Sequence, residues 1–329
     1  MKKNVAVVFG GDSSEAIISE RSARNIVDSI PRDRYEVYSV SIIGTDWNLC
    51  CEDGSKAPID RNDFSAKLID RTIRFDCAFI IIHGTPGENG LLQSYFELIR
   101  LPYTTCSAFV SALTFDKYAC KRYLRDLGID MASEVLLKKG DSYEVAELVG
   151  RLGLPLFVKP NAGGSSFGVT KVRSADELDS ALEHARMEGC DEVLVESFIE
   201  GVELSHGICI FNNHILRLPV TEIVSKNDFF DFEAKYTAGR SDEITPARIS
   251  DELNERVQHL TERICRRLSC RGLARIDYIY SSDRLYFLEI NTIPGFSDAS
   301  IVPQQLRHAG YEVSEVLATL IDDSISRLV

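Results

Sequence analysis

The sequence has no long apolar run. Its longest wholly apolar stretch is residues 77–82, far short of the roughly 18 residues that a membrane span requires. The opening MKKNVAVVFGGDSSE starts like a signal peptide, but glycines and acids end its apolar run after Phe9. It reads instead as the first strand of a cytoplasmic protein with no membrane partner. Basic residues are also short: 37 Lys and Arg stand against 50 Asp and Glu, for a net charge of −13. That balance argues against a sequence-independent grip on nucleic acid. A small phosphate ligand stays open, because a single site needs only two or three lysines and a divalent cation. The nine cysteines are odd in number, scattered and without a C-x-x-C pair. Adjacent Cys50 and Cys51 are poorly placed to bridge each other, so reduced thiols in a cytosol are expected. With 21 Gly and 10 Pro in 329 residues, collagen-like and low-complexity classes are excluded. At about 150 residues per domain the length predicts two or three domains, with a cleft between them.

Apolar residues 5–9 closed by Gly10-Gly11, followed by helical spacing over 13–30, predict a strand, a turn and a helix. Further β-branched and aromatic runs at 35–43 and 75–82 extend this to an open, largely parallel sheet covered by helices. Ligands are then expected at the carboxyl ends of its strands. The character changes near Ser107. Residues 111–127 predict one amphipathic helix, and 155–158 and 169–172 an antiparallel pair around a Gly/Ser loop. A helix over 176–188 and a strand over 192–197 follow. Glu203 opens a third section, in which Leu253, Val257, Leu260 and Ile264 form one helical stripe. The fold class is α/β, turning to α+β over the C-terminal two-thirds, with domains at 1–106, 107–202 and 203–329.

Residues 275–291, RIDYIYSSDRLYFLEIN, predict two alternating strands around a polar turn. Pairing Tyr280 with Tyr286 sets Tyr278 against Leu288 and Ile276 against Ile290 on an apolar face. The other face then gathers Arg275 opposite Asn291 and Asp277 opposite Glu289. Like charges directly opposite on a ladder repel unless a cation separates them. Hard oxygen donors on neighbouring strands suit Mg²⁺. The same spacing also fits a solvated face on which Arg275 neutralises the acids.

KPNAGGSSFG, residues 159–168, joins two strands, so it is not a Walker loop; its backbone N–H groups and serines can still close over a triphosphate. Lys159 stands at the strand end beneath it, and Lys117 on a helix offers a second cation. Gly10-Gly11 gives an incomplete dinucleotide fingerprint: GGDSSE lacks the third glycine and carries Asp12 and Glu15 where a pyrophosphate would sit. Acids there favour an amine. Glu15 also fits a capping box with Asp12 or Ser13.

In chain order the sequence carries GGDSSE with Ser19, HGTPGENG at 83–90, KPNAGGSSFG, EAKY at 233–236, RIDY at 275–278 and EINTIPGFSDAS at 289–300. With these it resembles the D-alanine:D-alanine ligases of the ATP-grasp superfamily over essentially its whole length. The resemblance implies a three-domain ATP-grasp fold with a Rossmann-like N-terminal domain. It also implies ligation of two D-alanines through an acyl phosphate, for peptidoglycan precursors of the cell wall. By the same resemblance, Asp277, Glu289 and Asn291 bind two Mg²⁺ ions, with Mn²⁺ as a substitute, and Lys117 and Lys159 hold the ATP α and β phosphates. Lys235 reaches the γ-phosphate, Glu196 lies in the adenine hinge and Glu203 holds the ribose. Arg275 and the Gly295 N–H meet the oxyanion. Glu15 takes the first ammonium, His83 lies near the first carboxylate and Ser300 takes the second. Tyr236 and Ser165 close the loop with Glu15, and the family is usually a homodimer.

Ala16, Asn89, Thr105-Cys106 and Phe232 depart from the family's usual pattern without removing a phosphate or metal ligand. Tyr236 favours an amine over D-lactate as second substrate, whereas D-serine adds only a hydroxyl, which an apolar pocket rejects weakly. A nucleotide-binding protein without catalysis and a dehydrogenase are the other readings weighed. The intact Arg275, Lys235 and metal-ligand set oppose the first, and the broken fingerprint opposes the second.

Overall fold

The computed structural model describes residues 2–164, 167–187, 190–225 and 241–327. The first sheet has the order β6-β5-β4-β3-β2-β1-β7. Strands β1 (Lys3–Gly10), β2 (Tyr35–Ile43) and β7 (Cys77–Ile80) are parallel. Val5, Ala6, Val7 and Val8 are wholly buried, as a strand covered on both faces requires. Helix α1 (Ala16–Ser29) packs on β1, and the last described helix (Val313–Ser326) packs on β7 and α1.

The expectation of a largely parallel sheet is corrected. Strands β3 (Asp46–Cys50), β4 (Lys56–Asp60), β5 (Ser65–Lys67) and β6 (Thr72–Ile73) extend the sheet antiparallel from β2. The connections between them are too short for the dozen or more residues that a parallel crossover needs.

The expected helix over 111–127 is two helices, Ala108–Phe115 and Lys117–Leu124, followed by a short 3₁₀ turn. Asp116 breaks it: its backbone is extended, and its Oδ1 accepts from Ala119 N at 2.8 Å and from Asn161 Nδ2 at 2.9 Å. A capping carboxylate restarts the helix there, which sets Lys117 at the first residue of the new helix beside the glycine loop.

The second sheet, ordered β10-β9-β11-β8, is antiparallel. It comprises β8 (Glu134–Lys138), β9 (Leu156–Pro160), β10 (Thr170–Val172) and β11 (Glu192–Ser197). Leu156, Val158, Val193 and Val195 pack against helices Val145–Leu152 and Leu178–Met187. Alternation sends Lys159 and Glu196 to the opposite face.

The third sheet contains β12 (Val202–Phe211), β13 (His214–Arg217), β14 (Thr221–Ser225), β15 (Ser241–Ile244), β16 (Gly272–Ser281) and β17 (Arg284–Asn291). Helix Asp251–Leu268 buries Leu253, Val257 and Ile264 on it, while Leu260 packs at the margin.

The β16–β17 hairpin has the expected register at its functional end: Arg275 faces Asn291, Ile276 faces Ile290 and Asp277 faces Glu289. Beyond Asp277 a bulge shifts it. Tyr278 pairs with Phe287 instead of Leu288, and Tyr280 with Leu285 instead of Tyr286. Ser282 and Asp283, both at positive φ, form a two-residue loop that fixes Ser281 against Arg284. That loop and the acid pair demand registers one residue apart, and the bulge absorbs the difference.

Replacing Asp116 by alanine removes the cap and one of the two acceptors of the Asn161 amide, which keeps Glu192. The expected loss is about 1–2 kcal/mol of stability in urea unfolding.

Candidate active site

A cleft of about 240 Å³ is lined by Glu15, His83, Glu88, Lys117, Gly163, Gly164, Glu243, Arg275, Glu289, Asn291, Gly295 and Ser300, among others. Residues from the first sheet's strand ends, the second sheet's glycine loop and the third sheet's hairpin therefore meet in one place.

Glu15 and His83 reach it from the carboxyl ends of β1 and β7. A Cβ on Gly10, at φ +107, would lie 2.5 Å from the Ile42 carbonyl oxygen, so the chain can turn there only as glycine. Glu15 occupies the N-cap position of α1 without capping it; Ser13 Oγ accepts from Glu15 N instead, at 3.3 Å. The capping-box alternative is thereby removed. The Glu15 carboxylate lies against Gly164, where a Cβ would come within 2.6 Å of Oε2.

Glu88 is an acid that the motif reading passed over. It is buried, accepts from Gly84 N at 2.7 Å, and is pushed up to about 8 by its burial and then by the Glu15 charge. Its place in HGTPGENG was the available signal. Glu243 on β15 was missed too: Gln304 Nε2 donates to its Oε2 at 3.0 Å, and burial raises its carboxyl while Arg275 opposes the rise.

On the hairpin, Arg275 grips Asp277 with Nε on Oδ1 at 3.0 Å and Nη2 on Oδ2 at 2.7 Å, and Ser205 Oγ donates to Oδ1 at 2.6 Å. Lys117 Nζ stands 3.6 Å from Glu289 Oε2 and donates to the Gly163 carbonyl at 2.6 Å. Asn291 Oδ1 accepts from Ile293 N at 3.2 Å. Asp277 is buried, so the solvated-face alternative does not hold, although its arginine partner is the one that alternative named. Among the described residues no three His, Cys, Asp or Glu side chains converge as a metal cluster. The donors present are two carboxylates and an amide, a hard set that fits Mg²⁺ when phosphate oxygens complete the shell.

Lys159 and Glu196 lie on the free face of the second sheet and do not line the cleft. Glu196 is buried between Lys159, 2.6 Å from Oε2, and Lys121, which contacts Oε1. Lys121 also reaches Glu134 Oε2 at 3.3 Å. Burial works against the Glu196 charge, but the two ammonium groups outweigh it and hold the carboxyl down at about 2. Lys121, four residues past Lys117 on the same helix, was a further residue the sequence reading missed. Glu203 sits at the start of β12, half-buried, opposite Ile279.

Ser300 is the N-cap residue of helix Ile301–His308. Its Oγ accepts from Ser297 N at 3.0 Å and lies 3.1 Å from where a Cβ on Gly295 would be. Both His83 ring nitrogens face protein atoms, the Ile293 carbonyl and the Ser22 hydroxyl. Burial lowers its basicity, against the Glu15 charge and the Ile293 hydrogen bond. Ser165, Lys235, Tyr236 and Phe232 lie outside the described residues.

Comparison with known proteins gives the family. The models for the D-ala D-ala ligase N-terminus and C-terminus match residues 4–106 and 123–322. A D-alanine--D-alanine ligase of Phocaeicola vulgatus is 47% identical over 324 residues, covering 98% of this chain and 99% of its own. Among solved structures, the VanG D-Ala:D-Ser ligase from Enterococcus faecalis superposes with a TM-score of 0.85 at 32% identity, covering 98% and 99% of the two chains. The D-alanine--D-alanine ligase from Bacillus anthracis complexed with ATP superposes at 0.77 and 29% identity, covering 99% and 98%. The chain belongs to the D-alanine–D-alanine ligase family and is a ligase with the ATP-grasp fold. No described helix is long and apolar enough to cross a membrane.

Glu88 gives a pH test. Its carboxyl is raised in the folded state, so the folded protein holds a proton that the unfolded chain releases. Stability therefore falls as pH rises from about 4.5 towards 8. Glu88→Gln fixes the neutral shape. It is expected to be more stable than the parent at pH 7, on the order of 1 kcal/mol, with the difference vanishing below pH 4.5. Thermal unfolding across that range checks it.

Proposed function

We propose that the protein joins two molecules of D-alanine, with hydrolysis of ATP to ADP and phosphate, to supply D-alanyl-D-alanine for peptidoglycan precursors. The observation that carries this reading is the meeting of Glu15, Lys117, Arg275, Glu289 and Ser300 in one cleft. An acid for an ammonium, cations for phosphate and a helix N-terminus for a carboxylate are the groups that the reaction needs.

The carboxylate of the first D-alanine attacks the γ-phosphate, giving an acyl phosphate and ADP. The amine of the second attacks the acyl carbon, and phosphate leaves from a tetrahedral intermediate. Glu15 orients the first ammonium, and His83 lies beside the first carboxylate. Lys117 and Lys159 hold the α and β phosphates, and Lys235 reaches the γ-phosphate. Glu196 reads the adenine and Glu203 the ribose hydroxyls. Asp277, Glu289 and Asn291 would hold two Mg²⁺ ions, or Mn²⁺, whose charge screens the phosphates. Arg275 and the Gly295 N–H stabilise the oxyanion, where one lost donor costs about 100-fold or more in rate. Ser300 takes the second carboxylate, helped by the helix that it begins. Tyr236 and Ser165 join Glu15 to close the site against water that would hydrolyse the acyl phosphate. Units 1–106, 107–202 and 203–329 close around the nucleotide in a cytoplasmic homodimer.

A second reading uses D-serine as the second substrate. The hydroxyls of Ser297 and Ser300 at that end of the cleft favour it, since they can partner a seryl hydroxyl.

Phosphate release with ATP, Mg²⁺ and D-alanine, set beside D-serine and D-lactate, tests both readings. D-alanine is expected to give the highest kcat/KM; no release with any of the three removes the ligase reading. Glu289→Gln should cut turnover by at least about 100-fold with an unchanged circular dichroism spectrum, and near-parental turnover would remove Glu289 from the metal set.

A further inference from the structure

The turn carrying Gly295 is held from outside the third sheet. Ser22 and Asn25, three residues apart on one face of α1, both reach it. Phe296 N donates to Ser22 Oγ at 3.0 Å, and Asn25 Nδ2 donates to the Phe296 carbonyl at 2.8 Å. At the other end of the turn, His83 Nδ1 donates to the Ile293 carbonyl at 2.9 Å. A carbonyl only accepts, so the ring proton is on Nδ1. Nε2 is then an acceptor, and it faces the Ser22 hydroxyl at 3.4 Å. Ser22 is wholly buried and His83 nearly so. Ser22 thus spends its hydroxyl across the domain contact, accepting from the turn and facing the histidine that holds the turn's other end.

We propose that Ser22 and Asn25, with His83, are positioning residues for the ligation step, fixing the direction of the Gly295 N–H by clamping residues 293–296 at both ends. The proposal rests on the reading of Gly295 as an oxyanion donor. A donor helps only when it already points at the place where charge develops, and a displacement of about 1 Å can cost a factor of 100. The bland account, in which Ser22 is a satisfied polar group in a core, explains its own two contacts. It does not explain why three side chains from two other segments all end on the same four residues.

The clamp predicts an effect on the transition state and not on the nucleotide. Ser22→Ala is expected to lower kcat for dipeptide formation by ten- to a hundredfold, with KM for ATP and the affinity for ADP within twofold of the parent. Affinity for a phosphinate dipeptide analogue, whose tetrahedral phosphorus mimics the intermediate, should fall by the same factor as kcat/KM. Asn25→Ala, at a less buried position, should show the same pattern more weakly, and it carries the test if Ser22→Ala does not fold. A loss in kcat below threefold for both variants overturns the proposal. So does a parallel loss of ADP affinity, phosphinate affinity and melting temperature, which a merely structural role would give. A parent enzyme with no D-alanine-dependent phosphate release instead overturns the ligase reading beneath it.

Discussion

Two carboxylates, Asp277 and Glu289, stand directly opposite each other on adjacent strands, and the surrounding structure answers the repulsion between them. Arg275 grips one from two residues away along the same strand, Lys117 approaches the other from a separate helix, and Ser205 adds a hydrogen bond from the next strand. Each of these requires a different part of the fold to be in position. Lys117 is there because Asp116 breaks its helix, and Ser205 because β12 runs beside β16. The bulge after Asp277 keeps the pair in register while Tyr278 and Phe287 stay in the core. The cost of holding two like charges together is offset by the two cations that the fold brings against them.

The first sheet contributes geometry instead of charge balance. Its parallel strands end at one edge, so Glu15 after β1 and His83 after β7 arrive side by side, as expected at the carboxyl ends of parallel strands. The buried face of α1 then does more than cover the sheet. It reaches the segment after the β16–β17 hairpin, which ties the first sheet's helix to the end of the third sheet.

Much of this was legible in the chain. The alternation in 275–291 gave the opposition of Asp277 and Glu289, because a face shift would have mixed acids with apolar side chains. The first strand, its glycine turn and the stripe of the helix ending at Leu268 were equally plain, since periodicity and burial agree there. The bulge was not read, because it arises from competition between a two-residue loop and the acid pair, and neither constraint alone reveals it. The helix break at Asp116 was hidden for a similar reason: the apolar spacing runs across it, and only the capping carboxylate interrupts. Ser22 and Lys121 escaped because each acts through partners distant in sequence, and Glu88 because nothing in its motif tells a buried acid from a solvated one. Burial marks them, and burial is a property of the fold.

The doubly paired Glu196 has a bearing on how the chain could admit an anion. If a phosphate draws Lys159 away, Glu196 still keeps Lys121, which is itself shared with Glu134. The departing ammonium therefore leaves Glu196 with one partner, although Lys121 is then shared by two buried carboxylates, so the desolvation penalty of the broken interior ion pair is reduced and not abolished. One lysine is free to commute because the other stays at home.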